Sequence, residues 1–509
     1  MKFKLKDSTD LIEKTVFLNE RINSFFAPED DHNNKLIDSY INKWQEVVAK
    51  GNRETFEKRL SLDNLDLNSA RKILGKICLN ENLPEWTEIF EKIINKVEDV
   101  SRKKHTFHDY KWKGKNPVPF QEILYPSVLI AREELIHRTG RSYHLASEES
   151  HRIFEHNLLM LLSNLCSETL YYEYIIYCTG KQSPYELYLD GLKKRINPEY
   201  YNSFLEVFFK ASFINFFKEY PVLARFVSMC VTLWIEGTGE FFRRLEEDLP
   251  EISRVFCKGE EPGKLVNVKS GISDTHNKGR SVIALTFSSG LKLIYKPKDL
   301  STEIIYFDLL SWFNQHISLK FKTLKIINRK DYGWVEFVEC LPCKNKEEVT
   351  GYYTRTGHLL CIMYLTGGND CHCENIIASG EYPVFIDLET LMQAETVLNN
   401  KEYNDRAITM ADNKISRSVL KSGLLPSWIL QGEKAYDIGG ISGPTSQKNS
   451  IHRGREKFID RNVVIEREIF QNTFNLPVLN GEFLLPFKYI EHIVRGFKEI
   501  YMLLMEHRD

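Results

Sequence analysis

Two neighbouring stretches decide the fold: residues 367–375, Gly-Gly-Asn-Asp-Cys-His-Cys-Glu-Asn, and residues 382–389, Tyr-Pro-Val-Phe-Ile-Asp-Leu-Glu. The first is a glycine-containing loop that carries three polar side chains: Asp370, His372 and Asn375. The second opens with a short apolar run, which predicts a buried strand. That strand delivers two carboxylates at its end, Asp387 and Glu389. Polar side chains directly after the end of a buried strand indicate a functional site.

The order of these side chains is typical of a kinase-like phosphotransferase. Asp370 would orient the attacking hydroxyl group, and Asn375 and Asp387 would hold magnesium on the phosphates of ATP. Glu389 offers a further oxygen ligand of the kind that Mg²⁺ prefers. A loop histidine is more often a structural hydrogen-bonding group than a catalyst, and we expect His372 to brace the loop or to touch the transferring phosphoryl group.

A lysine upstream fits the same interpretation. Lys296 ends a predicted strand over residues 291–295, and Pro297 stops strand pairing after it. A solvated strand-end lysine is the usual outcome, but the downstream site favours a role for Lys296 in binding nucleotide phosphates. Its acidic partner on the next helix would be Glu303 or Asp308, and the sequence does not rank the two.

Longer matches resemble the dehydratase domain of class II lanthipeptide synthetases (LanM), a family whose catalytic core is similar to lipid kinases. The resemblance rests on a long run with unusual spacing, residues 370–378 and 380–391. Shorter matches lie at residues 216–225, 249–252, 273–282 and 295–298. The resemblance covers the chain from about Ile123 to Tyr501.

The resemblance gives a role to the polar stretch at residues 273–282, which composition alone favours as a plain hairpin loop. Its Asp-x-His-x-x-Gly-Arg-Ser-Val pattern is a family motif. In that family the residues that match Asp274 and His276 are associated with an elimination step. Arg280 is expected to bind the nucleotide together with Lys296.

The resemblance implies an enzyme of lanthipeptide (lantibiotic) biosynthesis that uses ATP and Mg²⁺. Such a dehydratase phosphorylates Ser and Thr in a ribosomal precursor peptide with a leader, then eliminates phosphate to give dehydroalanine or dehydrobutyrine. Phosphate leaves more readily than hydroxide once the α-proton is taken, and positioning and charge stabilisation carry the transfer. A lanthipeptide exporter is a candidate partner.

Two other functions stay open at this point. A catalytically inactive, kinase-like scaffold would bind the leader peptide without turning over ATP, although four expected site residues are intact: Lys296, Asp370, Asn375 and Asp387. Magnesium-dependent ATP binding by calorimetry would separate that scaffold from an enzyme. A metal-dependent hydrolase built on Asp370 and His372 leaves Lys296 unexplained and predicts a tightly bound transition metal.

The whole pattern predicts an α+β fold, with a two-lobe, lipid-kinase-like catalytic core and a large helical N-terminal region. Helical periodicity dominates residues 1–262. Residues 263–346 read as an N-lobe, a small mixed sheet with one helix and a hairpin at residues 288–290. Residues 347–509 read as a C-lobe that is incomplete at its C-terminus, and residues 390–450 as a long loop region within it.

Several individual elements follow from the same periodicity. Helices are predicted over residues 147–174, 201–217 and 220–249. A shorter amphipathic helix has apolar positions at three- and four-residue steps: Ile37, Tyr40, Ile41, Trp44 and Val47. Two aromatic residues of a later strand, Trp334 and Phe337, are expected to pack in the core.

Charge and composition exclude several classes of protein. Lys and Arg total 68 and Asp and Glu total 70, and the net charge of -2 gives no general attraction to nucleic acid. Hydrophobic residues make up 42% of the chain, an ordinary globular share. No apolar stretch reaches the length of a membrane span, and the N-terminus lacks the apolar core of a signal peptide. We therefore expect a cytoplasmic protein without a transmembrane segment.

The ten cysteines do not form a disulfide framework, since a cytosolic chain keeps most thiols reduced. Cys340-x-x-Cys343 and Cys371-x-Cys373 invite a zinc interpretation, but the second pair is tight for zinc. Buried or loop thiols are the favoured interpretation. The zinc of LanM enzymes belongs to a cyclase domain that the sequence does not contain.

LanM dehydratase domains continue beyond a segment like residues 496–501 to an Arg-x-x-x-x-x-Thr element used in elimination. Because the sequence shows neither that element nor the cyclase before Asp509, we expect a fragment or a truncated synthetase that phosphorylates but eliminates poorly. The apolar positions of the helical run at residues 489–507 would then need a packing partner, and Arg495 would lie on the surface.

Overall fold

The structure is a computed structural model. It describes residues 9–22, 26–28, 34–75, 77–79, 83–102, 118–186, 198–210, 213–271, 273, 275–392, 410, 414–431, 434–442, 453–458, 463–468 and 474–508. The chain divides into two compact units. The first lies within Met1–Glu246, Asn277–Gly279 and Glu456–Val464, and the second within Glu247–His276, Arg280–Arg455 and Ile465–Asp509.

The first unit is mainly helical, as the periodicity of its sequence predicts. Its helices are α1 (Thr9–Glu13), α2 (Leu18–Ile22), α3 (Asn34–Ala49), α4 (Arg53–Leu62), α5 (Leu67–Leu74), α6 (Trp86–Arg102), α7 (Gln121–Thr139), α8 (Glu148–Thr179), α9 (Pro198–Lys210), α10 (Phe213–Glu219) and α11 (Pro221–Phe256). Two short strands, β1 (Phe26–Pro28) and β2 (Ile77–Leu79), pair antiparallel. The division between the two units falls within α11.

One apolar core holds the longer helices of this unit together. Helices α6, α7, α8, α9 and α11 each contribute fully or nearly fully buried side chains, for example Phe90, Leu124, Leu158, Tyr201 and Val231. Burial of such side chains is the main stabilising contribution, about 1.5–3 kcal/mol for each large apolar residue. A smaller apolar cluster joins α3, α4 and α5.

The helices differ from the sequence predictions in two places. The helix predicted over residues 201–217 is two helices, α9 and α10, and the two residues between them lie outside the described part of the chain. In α3, Ile37 and Ile41 are buried as predicted, but Val47 is 82% exposed. Val47 lies six residues after Ile41, about 240° around the helix, so it cannot share the buried face.

The second unit contains a five-stranded sheet. Its strands are β3 (Leu265–Ser270), β4 (Ile283–Phe287), β5 (Lys292–Lys296), β6 (Ile326–Asn328) and β7 (Gly333–Glu336), in the order β3-β4-β5-β7-β6. All four pairings are antiparallel, so the sheet is not mixed as predicted. The hairpin at residues 288–290 is confirmed, with Gly290 at φ 88°. Helix α12 (Ser301–His316) follows β5.

The rest of this unit combines helices with short hairpins. Its elements are α13 (Lys346–Thr366), β8 (Ile376–Ser379), β9 (Tyr382–Phe385), β10 (Trp428–Gln431), β11 (Lys434–Asp437), β14 (Val478–Leu479), β15 (Glu482–Phe483) and α14 (Ile490–Glu506). Strands β12 (Arg453–Phe458) and β13 (Val463–Glu468) precede β14. Strand β9 confirms the buried strand predicted before Asp387. Much of the predicted loop region at residues 390–450 lies outside the described residues.

Helices α13 and α14 cross in direct backbone contact. A Cβ atom on Gly357 would overlap the carbonyl oxygen of Ile493, and one on Gly496 would overlap the carbonyl oxygen of Thr354. Glycine at both positions therefore lets the two backbones approach closely. Ile493 and Ile500 are buried. The packing partner that α14 was expected to need is α13.

Polar contacts also cross this helix pair. His358 of α13 is fully buried, and its Nε2 lies 2.8 Å from Oε2 of Glu499. Burial lowers the pKa of His358, which opposes its protonation. Arg495, expected on the surface, is half-exposed and donates to Oγ1 of Thr354 at 3.0 Å.

The sheet packs its aromatic side chains as predicted for Trp334. Trp334 is fully buried, lies against Tyr295 with 5.0 Å between ring centroids, and donates its indole N–H to Oδ2 of Asp248 at 2.8 Å. Arg329 contacts the other oxygen of Asp248 at 2.9 Å. Phe337 is only partly buried, and the ammonium group of Lys292 lies 5.6 Å from its ring centroid.

Among the described helices, α11 alone is long and apolar enough to cross a membrane by length and composition. Its most apolar 18-residue window has a mean hydropathy of 1.2, and 44% of that window is buried. Val227, Val231 and Ile235 of this helix belong to the apolar core. Core helices of soluble proteins pass the same test, so the expected lack of a transmembrane segment stays a prediction.

Candidate functional site

Lys296 stands at the end of β5 and is buried. Its Nζ donates to the carbonyl oxygen of Ile386 at 2.5 Å and lies 3.5 Å from Oε1 of Glu303. Gly333 is the cross-strand partner of Lys296 on β7. A Cβ atom there would overlap Leu300 and the Ile327 carbonyl oxygen, so this neighbour of Lys296 must be a glycine.

The first turn of α12 presents Glu303 to this lysine. Asp299 accepts hydrogen bonds from the Ser301 backbone N–H at 3.0 Å and from the Asn328 side chain at 2.8 Å, which ties the start of α12 to β6. Glu303 is 3% exposed. Asp308, the other candidate partner, is exposed. The ambiguity left by the sequence is therefore resolved in favour of Glu303.

A second lysine joins three carboxylates. Nζ of Lys298 lies 2.9 Å from Oδ1 of Asp387, 3.3 Å from Oε2 of Glu389 and 3.8 Å from Oε1 of Glu303. The sequence patterns gave Lys298 no role of its own. With Lys296, it places two ammonium groups among three carboxylates, and we call these five residues the lysine–carboxylate cluster.

The pKa values within the lysine–carboxylate cluster move in different directions. Burial lowers the pKa of Lys296, against the opposing charges of Glu303 and Asp387. Burial also acts to lower the pKa of Lys298, but the hydrogen bond and charge of Asp387, with Glu303 and Glu389, outweigh it and the pKa is raised. For Asp387 burial acts to raise the pKa, and the two lysines outweigh it, so the pKa is lowered.

The loop after α13 brings Asp370, His372 and Asn375 together. The Asn375 amide donates to the carboxylate of Asp370 at 3.1 Å and to its backbone oxygen at 2.9 Å. Nδ1 of His372 accepts the backbone N–H of Glu374 at 3.2 Å. Nε2 of His372 lies 3.4 Å from Oδ1 of Asp370 and 3.3 Å from the side-chain nitrogen of Asn375. The three polar side chains of the loop therefore lie in contact with one another.

Two later segments hold this loop in place. The Cys371 backbone N–H donates to the Ser422 carbonyl at 2.9 Å, and the Cys373 N–H donates to the Ile438 carbonyl at 3.2 Å. A Cβ atom on Gly440 would overlap the carbonyl oxygen of Cys371. Burial raises the pKa of the Cys371 thiol to about 12 and that of Cys373 to about 11, so both thiols stay neutral.

The loop and the lysine–carboxylate cluster meet through the β8–β9 hairpin. The backbone N–H of Ile386 donates to the carbonyl oxygen of Asn375 at 3.0 Å, one step beyond the Ile376–Phe385 pair of the ladder. Asp387 follows Ile386 directly. The amide and the strand-end carboxylate therefore lie at the same end of one hairpin.

The oxygen ligands predicted for magnesium fit that ion chemically. Asn375, Asp387 and Glu389 offer the hard oxygen atoms that Mg²⁺ prefers. Oε1 of the buried Glu303 lies 3.5 Å from Nζ of Lys296 and 3.8 Å from Nζ of Lys298, so this carboxylate is engaged by both lysines. In the described part of the chain no three His, Cys, Asp or Glu side chains are grouped as metal ligands. The predicted magnesium ligands differ from such a group because one of them, Asn375, is an amide. The other two, Asp387 and Glu389, are carboxylates that Lys298 contacts.

The connection between β3 and β4 holds the other predicted site residues. His276 and Arg280 exchange backbone hydrogen bonds at 2.8 Å, across a turn in which Asn277, Lys278 and Gly279 all have positive φ. The side chain of His276 is exposed, and that of Arg280 is partly buried. Asp274 lies outside the described residues. The structure thus brings together the charged residues of the lysine–carboxylate cluster beside the Asp370 loop, while His276 and Arg280 lie on the β3–β4 connection.

An apolar cavity of about 760 Å³ lies elsewhere in the second unit. Leu360, Leu425, Phe487 and Phe497 are among its lining residues. Its walls include parts of the two segments that hold the loop, residues 419–426 and 437–442. The charged and polar side chains lie together in the lysine–carboxylate cluster and the loop, which therefore define the candidate site.

Sequence reasoning missed the role of Lys298 and left Glu303 unranked. A signal for Glu303 was present: it is in phase with the buried residues of α12, which are Tyr306, Phe307, Leu310 and Phe313. A glutamate on an apolar helix face needs a buried cationic partner. No comparable signal marks Lys298, because Pro297 ends the strand pattern before it.

The fold and site define a helix-rich α+β protein with a paired lysine and glutamate beside an Asp-His-Asn loop. A family model described as a domain of unknown function, DUF4135, matches residues 220–509. This match covers more than half of the chain, so the protein belongs to the DUF4135 family. That domain is associated with class II lanthipeptide synthetases, and the resemblance found in the sequence is confirmed.

A curated relative agrees with this family. The lacticin 481/lactococcin biosynthesis protein LcnDR2 of Lactococcus lactis subsp. lactis is 31% identical over 252 residues. The alignment covers 46% of this chain and 27% of the relative. The matched part is therefore little more than a quarter of the relative's length.

Proposed function

We propose that this protein acts in lanthipeptide biosynthesis, where it phosphorylates Ser and Thr side chains of a ribosomal precursor peptide with ATP. The carrying observation is the buried Lys296–Glu303 contact of 3.5 Å beside Asp387. A strand lysine paired with a glutamate of the following helix, near a metal-binding aspartate, is the arrangement that active protein kinases require.

The order of elements supports a kinase-like core in the second unit. A polar connection joins the first two strands of the sheet, a lysine ends the third, and its glutamate lies on the next helix. An Asp- and Asn-bearing loop and a strand-end aspartate come later, in the order that phosphoryl transfer in kinases uses. The two-lobe, lipid-kinase-like architecture is part of this proposal.

Asp370 is the proposed base for the transfer step. The substrate hydroxyl oxygen forms a bond to the γ-phosphorus, the bond from that phosphorus to ADP breaks, and the hydroxyl proton passes to the Asp370 carboxylate. Asn375 and His372 keep this carboxylate oriented, with contacts of 3.1 and 3.4 Å. Its side chain is 43% exposed, so a peptide hydroxyl can approach.

Lys296, Arg280 and the oxygen ligands would handle the nucleotide. The ammonium group of Lys296 is suited to pair with phosphate oxygens, and Arg280 is a second candidate. Asn375, Asp387 and Glu389 would hold Mg²⁺. When bound, this ion supplies positive charge that offsets the charge on the phosphates during transfer.

Asp274 and His276 belong to the second half of the proposed reaction. In that half the α-proton of the phosphorylated residue is removed, the bond from Cβ to the phosphate oxygen breaks, and phosphate leaves. The family resemblance supports this role. A cytoplasmic location and an exporter as partner are further parts of the proposal, and nucleic acid is not among the proposed partners.

Mass spectrometry of a precursor peptide tests the proposal. The chain is incubated with ATP, Mg²⁺ and a candidate precursor peptide that carries its leader. A gain of phosphate or a loss of water on the peptide is the expected result. Wild-type chain that binds ATP and peptide but leaves the peptide mass unchanged would support a leader-binding scaffold instead.

A further inference from the structure

Lys298 has contacts that a nucleotide-binding lysine does not need. Its ammonium group sits among Asp387, Glu389 and Glu303, at 2.9, 3.3 and 3.8 Å. Two of these carboxylates belong to the proposed magnesium ligands. The ammonium group of Lys298 therefore already contacts two of the carboxylates that would bind the metal ion.

The two lysines of the cluster are held differently. Lys296 is buried and fixed by the Ile386 carbonyl and Glu303. The side chain of Lys298 is 28% exposed, and its ion-pair partners are the carboxylates of Glu303, Asp387 and Glu389. Lysine carries a compact charge on a flexible stem, so the ammonium group of Lys298 can withdraw while that of Lys296 stays.

We propose that Lys298 is a positioning residue that holds the metal-binding carboxylates together before nucleotide binds, and releases them to a divalent cation. The inference rests on the proposed function, because it assigns the cluster to the metal-bound nucleotide. The phosphates of the nucleotide offer Lys298 an alternative partner, so the ion and the nucleotide bind together. The metal alone binds weakly, because it must displace a resident cation.

Charge balance supports this exchange. Two ammonium groups face three carboxylates, which leaves the cluster with one negative charge in excess. Without Lys298 the excess would be two, and repulsion among the carboxylates would favour a divalent cation directly. Removal of the lysine charge is thus expected to strengthen the binding of metal alone, the opposite of what loss of a nucleotide contact would do.

Titration with Mn²⁺ and no nucleotide tests the proposal, with free Mn²⁺ followed by its EPR signal. Lys298→Met is expected to bind Mn²⁺ at least about tenfold more tightly than wild type, because one repelling unit charge is gone. Lys298→Arg keeps the charge and should match wild type. Lys292→Met is the matched control, since the Lys292 ammonium group pairs with the exposed Glu339 at 2.6 Å and lies over the Phe337 ring, and neither residue belongs to the cluster. Equal or weaker Mn²⁺ binding by Lys298→Met overturns the proposal.

Thermal unfolding gives a readout that does not depend on activity. Without metal, Lys298→Met is expected to unfold at a lower temperature than wild type, and Mn²⁺ should raise its midpoint more than that of wild type. Lys298→Gln serves as a second variant if the methionine variant does not fold. Addition of Asp387→Asn should abolish the gain in Mn²⁺ affinity, and a gain that persists would also overturn the proposal.

Failure of this proposal and failure of the proposed function look different. Wild type that binds no ATP with Mg²⁺ and modifies no peptide refutes the function, whereas the Mn²⁺ titration of Lys298→Met needs neither ATP nor peptide. A productive kinase in which Lys298→Met shows no gain for Mn²⁺ refutes only the role of Lys298.

Discussion

The lysine–carboxylate cluster and the β3–β4 connection hold their polar side chains in different ways. In the cluster, every side chain has an oppositely charged neighbour within 4 Å. In the connection, His276 and Arg280 are held by backbone hydrogen bonds across a turn, and the His276 side chain is exposed. The first arrangement pairs charged side chains with one another before any ligand binds, while in the second the hydrogen bonds between His276 and Arg280 run through the backbone.

This difference suits the two halves of the proposed reaction. Phosphoryl transfer depends on electrostatic stabilisation, which works best when charges are positioned in advance. Removal of an α-proton needs a base that reaches a peptide already bound, so exposed side chains on a connection are compatible with it. The comparison predicts that substitutions in the cluster affect transfer strongly, and that substitution of His276 in the connection leaves transfer unchanged.

The largest effect is expected for Asp387→Asn. Loss of this carboxylate removes a proposed metal ligand and the shortest contact of Lys298, and phosphoryl transfer should fall by about a thousandfold, which is ~4 kcal/mol. The measurement is the rate of phosphopeptide formation, with the fold checked by circular dichroism. Asp308→Asn, an exposed carboxylate of α12, is the control and should keep full activity. A wild-type rate in folded Asp387→Asn would contradict the assignment.

Lys296→Ala should weaken nucleotide binding by roughly a hundredfold and leave peptide binding nearly unchanged. The variant removes a phosphate partner and leaves Glu303 buried without its nearest charge, so we also expect a loss of about 3 kcal/mol in the free energy of unfolding. Calorimetry with ATP and with the peptide separates the two affinities. If the variant retained ATP binding and lost peptide binding, Lys296 would belong to the peptide-binding surface and not to the nucleotide site.

Acid should weaken the Lys298–Asp387 contact. The pKa of Asp387 in the folded protein lies below its ordinary value of 3.8, so its contribution to stability is present above that pH and is lost as the pH falls through the lower, folded value. The difference in unfolding free energy between wild type and Asp387→Asn should therefore shrink below about pH 4. Denaturant titrations at several pH values measure this difference in unfolding free energy. A difference that grows in acid would contradict a lowered pKa for Asp387.

The smallest effect is expected for His276→Ala. Its exposed side chain makes no contact with the lysine–carboxylate cluster among the described residues, so the unfolding free energy should change by less than about 0.5 kcal/mol. The phosphorylation rate should stay within about twofold of wild type, because the residue is assigned to elimination alone. A large drop in phosphopeptide formation would contradict the assignment of His276 to elimination and of the lysine–carboxylate cluster to phosphoryl transfer.

The sequence predicted much of the site because its chemistry is local. The loop residues Asp370, His372 and Asn375 lie within six positions of one another, and a strand ends just before Asp387. Their closeness along the chain predicted that the loop residues and the strand-end carboxylate form one site, and the structure places them at one end of the β8–β9 hairpin. The alternation of β4 and β5 and the turn at Gly290 were equally readable, since both follow from nearest neighbours in the chain.

The contacts between distant segments were not predictable in the same way. Lys298 meets Asp387 across 89 positions, and no periodic pattern links them. Glu303 and Asp308 lie on one helix, and only the buried face of α12 distinguishes them. The break between α9 and α10 was hidden because aromatic residues lie close to it on both sides, Phe208 and Phe209 before it and Phe213 after it. Val47 was misplaced because steps of three and four residues drift around a helix.

The glycine crossing of α13 and α14 has a consequence for how the protein is made. Helix α13 leads directly into the Asp370 loop through Gly367, so the packing of this helix affects the position of the loop. Its polar partner Glu499 lies 141 positions after His358. A ribosome that adds ~5–20 residues per second needs on the order of ten seconds to supply it. During that interval the nascent chain carries the Asp370 loop without α14, so the proposed site is expected to gain activity only after α14 has been synthesised.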